Sequence, residues 1–238
     1  MPKGYPDWTK PVGVELQAVT LDANVVSGLI NVARGIIFNK PSAPLGWLPL
    51  KLYITSYTVH CLHPVVLKPD KQYEYVTFTP SQNAVWQESG YWTFELTNHG
   101  IDKLGGDMLV QIHRKYYLDN YRDGDEYRWK LGIVLKATVD GVLSTIDSFE
   151  TVEHVFSPSA SGSGYSHEAY EVYKRKVDVT SIDEDGKIVL EIHTWFYEDQ
   201  NGHVTFYPME TYVYLDATAE DSILILPVYF KHLEAQET

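Results

Sequence analysis

The sequence predicts an all-β protein, a jelly-roll or β-sandwich of about ten strands, with an extended N-terminal arm ahead of it. Three observations predict this. From residue 50 onward apolar and polar residues alternate in run after run, the period of a strand with one face buried. Aromatic residues are abundant, with 18 Tyr, 6 Trp and 8 Phe, and these side chains favour a pleated, half-buried surface. Turn signals such as Asp140-Gly141, "DEDG" and "EDQNG" separate the runs.

Taken in order, the chain opens with "MPKGYPDWTKPVGVEL". Pro2, Pro6 and Pro11 each fix their own φ and push the preceding residue out of the helical region, so residues 1–11 read as a stiff arm. That arm carries Tyr5 and Trp8. Residues 22–38 place Val25, Val26, Leu29, Ile30, Val32, Ala33, Ile36 and Ile37 at helical spacing, with Asp22 or Asn24 as N-cap. The period predicts one short helix; Gly28, Gly35 and the β-branched residues keep a strand open as the alternative. "KPSAPLGWLP" reads as a linker. Ten strand runs follow: "LYITSYTVH", "YEYVTFT", "YWTFELT", "GDMLVQIHRKYYL", "YRWKLGIVLKATV", "VLSTIDSFETVEHVF", "HEAYEVYKRKVDV", "KIVLEIHTWFY", "HVTFYPMETYVYL" and "ILILPVYF". "SPSASGSG" is too small and polar to pack and reads as a mobile loop tip. The organisation expected is an arm and linker over 1–49, a sandwich over 50–230 and a tail over 231–238.

Composition narrows the function. The net charge is −13, and residues 1–50 carry four basic and three acidic groups, so the sandwich holds nearly all of the acidity. An acidic body without a Lys/Arg track repels nucleic acid and anionic membrane, and neither is expected as a partner. One cysteine, Cys61, rules out an intrachain disulfide. No apolar run approaches the roughly 20 residues of a membrane helix, and no leader pattern is present, so synthesis and assembly in the cytoplasm are expected.

Motifs for chemistry are few. "HCLHP" brings His60, Cys61 and His63 together, but on a strand His60 shares a face with Leu62 while Cys61 shares the other with His63. "DNYRDGDEYRWK" fails as an EF-hand, because Tyr121 and Lys130 fall where ligands are required; a looser site on Asp119, Asp123, Asp125 and Glu126 is the alternative to an acidic surface turn. Glu95, Glu150, Glu153, Glu171 and Glu191 sit on strands, and nothing in the sequence selects a pair for hydrolysis. No G-x-S-x-G, P-loop or G-x-G-x-x-G occurs. No catalytic residue, metal ligand or cofactor is therefore expected. The aromatics carry the best candidates: "TWFYEDQNGHVTFY" puts Trp195 and Tyr197 on one face and Phe196 on the other. Trp195, Tyr197 and Tyr207, close to Asp, Asn and Gln, suit stacking against a sugar.

The "GYPDW" leader and the run "VELQAVTLDANVVSGLINV" resemble the starts of structural proteins of phages and archaeal viruses, several from hot environments. "KIVLEIHTWFY" and the closing "ILILPV" are similar in style to their terminal sandwiches. The resemblance implies a non-enzymatic virion component, a turret, spike or decoration subunit of the capsid. In that reading Tyr5, Trp8, Val25, Leu29, Val32 and Ile36 form an assembly anchor, the chain is a homo-oligomer contacting other virion proteins, and the acidic sandwich faces outward. Glycan binding, for host attachment or turnover, is the alternative from a different class.

Overall fold

Twelve strands and no helix make up the described residues of the computed structural model, namely 46–54, 60–64, 72–97, 99–215 and 222–230. All of these belong to one compact unit, Pro44–Thr238. The arm, the 22–38 segment and all six anchor residues lie outside the described residues. The strands are β1 (Gly46–Ile54), β2 (His60–Pro64), β3 (Tyr73–Phe78), β4 (Gln87–Thr97), β5 (Ile101–Tyr121) and β6 (Glu126–Val139). They continue with β7 (Val142–Glu150), β8 (His154–Phe156), β9 (Gly162–Ser181), β10 (Lys187–Asp199), β11 (Met209–Tyr214) and β12 (Ile223–Phe230).

The strands form a β-sandwich of two antiparallel sheets. In the first, the long β5 pairs with β9 on one side, and with β12 and then β11 on the other; β12 leads on to β1 and β2, and β11 to β3. In the second, the order is β4-β10-β6-β7, with the short β8 extending β7 alongside β6. One parallel contact, Cys61 opposite Glu95, joins β2 to β4. The alternation read from sequence sets the two faces. Met108, Val110 and Ile112 of β5 point inward against Leu131, Ile133 and Leu135 of β6 and Ile188, Leu190 and Ile192 of β10, all essentially solvent-free. A second cluster holds Tyr116, Leu118, Tyr127, Trp129, Phe196 and Met209.

Boundaries differ from the sequence reading at physically explicable points. Gly105 and Gly106 look like a separator but lie inside β5: a Cβ on Gly105 would meet the Val179 backbone at 2.6 Å, so glycine permits the close approach of β9. β1 takes in Gly46–Pro49 from the expected linker. "SPSASGSG" is tied to the β5–β6 turn, where Gly124 N–H donates to the Pro158 carbonyl (3.2 Å) and Asp123 N–H to Ser161 Oγ (3.1 Å). The Asp140-Gly141 hairpin has φ values of 50° and 77°, and the Asp183 carboxylate accepts both amide hydrogens (3.2 and 2.8 Å). "DEDG" is thus part of a turn-to-turn clasp.

Charged groups also point inward. Arg114 occupies the core-facing row of β5 at 1% exposure. Its guanidinium donates to Glu171 Oε1 (2.7 Å), Thr151 Oγ1 (2.6 Å) and the Val152 carbonyl (3.0 Å), and lies over the Tyr116 ring at 5.1 Å. Glu171 in turn accepts from the Tyr173 hydroxyl. At the other end of the interior, Glu198 is 1% exposed, with Oε1 accepting from Gln200 Nε2 (2.9 Å). Burial pushes its carboxyl up to about 7, with Asp125 adding to the rise and the Gln200 bond and Arg122 offsetting only part of it. A carboxyl raised on folding contributes stability that is complete below its unfolded value of 4.5 and is lost as pH rises through about 7. Glu198→Gln is therefore expected to raise stability by about 2 kcal/mol near pH 8.5 and to change it little near pH 4. Urea denaturation at the two pH values checks the sign.

Candidate functional site

The outward face of β4-β10-β6-β7 carries an open trough with ordered polar and aromatic side chains around it. Even-numbered residues of β6 and odd-numbered residues of β10 face outward, and the register sets them in rows. One row runs Glu88, Trp195, Lys130; the next runs Tyr91, His193, Gly132, Glu150; a third runs Thr93, Glu191, Val134, Ser148. A bulge between Thr194 and Trp195 breaks the ladder with β4 and brings Glu88 beside the indole.

Gly132 makes this face concave. Every neighbour in its row has a large side chain, and its own absence opens a trough of about 460 Å³ lined by Gly132, Ile133, Val134, Ser148, Phe149, Glu150, His193 and Trp195. A Cβ at Gly132 would stand 3.3 Å from Trp195 Nε1 and 3.6 Å from His193 Cβ, so the glycine is what lets the indole lie over the strand.

Fixed polar groups surround the trough. His193 sits between two carboxylates, Nδ1 at 2.5 Å from Glu88 and Nε2 at 3.3 Å from Glu191, and stacks on Tyr91 at 5.3 Å. Glu191 also accepts from Lys136 Nζ at 2.7 Å. Burial alone would raise the Glu191 carboxyl, but the Lys136 and His193 bonds together hold it below the ordinary carboxylate value. Lys130 donates to Glu150 at 2.8 Å and lies 4.5 Å over the Trp86 ring. Trp86 meets Tyr197 at 5.5 Å, and the Arg128 guanidinium covers the other aromatic at 5.3 Å. Exposed ion pairs of this kind add little stability. What they do is hold donors and acceptors around an aromatic strip.

Of the aromatics singled out in the sequence, Trp195 and Tyr197 lie on this face, and Phe196 is fully buried beneath it. Tyr207 is not in the lining: its hydroxyl accepts from Arg122 Nε (3.2 Å) and Nη2 (2.8 Å) at the β5–β6 turn. Sequence reasoning missed Gly132 and His193. An isolated glycine within "KLGIVLKA" was the available signal, since glycine in a strand marks a bulge or a close approach. The glutamates expected on strands are each taken up by a cation: Glu95 by Lys187, Glu150 by Lys130, Glu153 by Arg128, Glu171 by Arg114 and Glu191 by Lys136, though Glu153 lies in the connection between β7 and β8 and not on a strand. Asp125 of the calcium-like stretch is buried, accepting from the Tyr127 hydroxyl and the Asn201 amide. Among the described residues no group of three or more His, Cys, Asp or Glu is placed to hold a metal ion.

The fold and this face define an antiparallel β-sandwich with an open, aromatic-lined trough. No protein-family profile matches the sequence, and no curated protein matches it. Among solved structures, a CocE/NonD family hydrolase from Staphylococcus aureus matches over 81% of this chain and 38% of its own, at 11% identity and a TM-score of 0.41. An aminopeptidase from a marine sediment Thaumarchaeota archaeon matches over 76% and 36%, at 8% identity and a TM-score of 0.38. The VP2 protein of infectious bursal disease virus follows with a TM-score of 0.18 over 69% of this chain. This chain thus spans under two-fifths of the length of the hydrolase and the aminopeptidase. The expectation of a non-enzymatic viral structural protein of the capsid is corrected here: the better-scoring likenesses are to a hydrolase and an aminopeptidase, and the capsid likeness is loose. At these identities and scores none of them assigns an activity to this chain.

Proposed function

We propose that the outward face of β4-β10-β6-β7 binds a carbohydrate, with one sugar ring held in the trough against Trp195. The observation that supports this reading is the recess at Gly132 beside an indole. There the missing side chain of Gly132 leaves an open trough of about 460 Å³ along the edge of the Trp195 indole. Sugar rings offer apolar C–H faces and equatorial hydroxyls, and the strip of Trp195, Tyr197, Trp86 and Tyr91 supplies surfaces for the former. Glu150, Glu191 and Lys136, already oriented by their ion pairs, supply acceptors and donors for the latter.

The test is titration with a panel of neutral, acidic and amino-sugar oligosaccharides, followed by intrinsic tryptophan fluorescence and calorimetry. Trp195→Ala is expected to weaken binding by about 2 kcal/mol, roughly thirtyfold in Kd. Gly132→Leu, which fills the recess, is expected to do the same while Tyr207→Phe leaves the Kd unchanged. A panel without a binder, or a Trp195→Ala variant that binds as tightly as the parent, would overturn the reading.

A further inference from the structure

β9 is a 20-residue strand that pairs, among the described residues, with β5 alone. Side chains of its inward row seal the cleft to the second sheet. Arg175 donates twice to Asp147 (both 3.0 Å), and Tyr173 packs on Phe149 at 5.3 Å. Its main-chain edge meets no other strand among the described residues. Long uncovered edges are templates for a further strand, and lysines placed along them usually repel one.

In β9 the charge order reverses that effect. The outward row reads Glu168, Tyr170, Val172, Lys174, Lys176, acidic at one end and basic at the other. Val172 is 54% exposed, and the Glu168 and Lys174 side chains are 53% and 65% exposed. A strand with such a gradient complements itself when turned end for end. We propose that two copies of this chain join their first sheets through the β9 edges, antiparallel about a twofold axis at Val172.

The register follows from the side chains. In an antiparallel pair, opposed residues share a face, so a twofold must pass through a residue of the strand. An axis at Glu171 sets two Glu171 carboxylates together and His167 against Arg175. An axis at Tyr173 opposes Glu168 to Asp178, and one at Tyr170 forms no charge pair in the outward row. The axis at Val172 opposes Glu168 to Lys176 and Tyr170 to Lys174, twice each by symmetry, with Val172 against Val172. On the inward face it puts the small Ala169 opposite the long Arg175. No like charges meet.

Sedimentation equilibrium over a range of concentrations of the full chain tests this. The parent protein is expected to dimerise. Lys176→Glu, which opposes two carboxylates on each side of the axis, is expected to weaken the dimer about tenfold. The double variant Glu168→Lys/Lys176→Glu is expected to restore it. Because Glu168 also meets His113 at 2.7 Å, Val172→Lys serves as a second variant that leaves this contact intact. It places two ammonium groups at the axis and is expected to give monomers with an unchanged circular dichroism spectrum. A parent that stays monomeric throughout, or a dimer indifferent to both Lys176→Glu and Val172→Lys, would overturn the proposal.

Discussion

Replacing Glu171 with leucine is expected to lower the stability of the sandwich by about 3 kcal/mol. The reason is the position of its partner. Arg114 sits in the core-facing row of β5 between Ile112 and Tyr116, and is 1% exposed. Its charge is tolerable only because Glu171, Thr151 and the Val152 carbonyl together receive it. Removing the carboxylate leaves a buried cation with neutral acceptors, which costs far more than an exposed ion pair contributes. The lower end of the usual range is expected because the Glu171 side chain is 23% exposed, and water can partly take its place. The double variant Arg114→Met/Glu171→Leu should recover most of the loss, since an apolar pair of similar volume suits the same interior. Urea unfolding of both single variants and the double variant gives the coupling directly. A loss under about 1 kcal/mol in Glu171→Leu would mean that Arg114 is solvated without its carboxylate.

Trp129→Ala is expected to cost about 4 kcal/mol, by removing a fully buried indole and leaving a cavity. Trp129 packs between Tyr116 at 5.4 Å and Phe196 at 5.2 Å, so the void opens inside the second aromatic cluster. Its neighbours in sequence, Lys130 and Gly132, face the trough on the other side of the strand. The expected result is therefore a split: the urea midpoint falls sharply, while the saccharide Kd of the folded protein barely moves. Trp195→Ala should show the reverse, since Trp195 is only half-buried and lies on the outward face. Measuring both quantities on both variants separates packing from recognition.

Much of this was legible in the chain. Alternation in "KIVLEIHTWFY" fixes Ile188, Leu190, Ile192 and Phe196 as core and puts Trp195 and Tyr197 outside, because a strand has no other way to sort its side chains. The Asp-Gly hairpin was legible for the same local reason. What escaped depends on distant partners. The recess at Gly132 exists only because register places it between His193 and Glu150, which are contributed by two other strands. Arg114 reads as a surface residue in "QIHRKYYL", and only the approach of Glu171 from β9 makes its inward course affordable. Gly105-Gly106 signals a break in isolation, yet serves as a point of contact with Val179. The functional expectation failed differently. It rested on the style of a leader and of strands, and style carries no site chemistry.

The pairing of β4 with β10 has a consequence for how the molecule comes into being. Glu88 and His193, which meet across it, are 105 positions apart. The β6–β7 hairpin can close on itself within microseconds, but the strand that belongs between β4 and β6 is synthesised only after residue 186. Until then β4 and β6 each offer a bare flank to the cell, and the hollow beside Trp195 has no wall. Closing loops of this length is slow, so the nascent chain passes through a long interval with exposed strand edges. The concentration of Lys, Arg and Glu along the outward rows then has a second use, keeping those half-built sheets apart from one another before the last strands arrive.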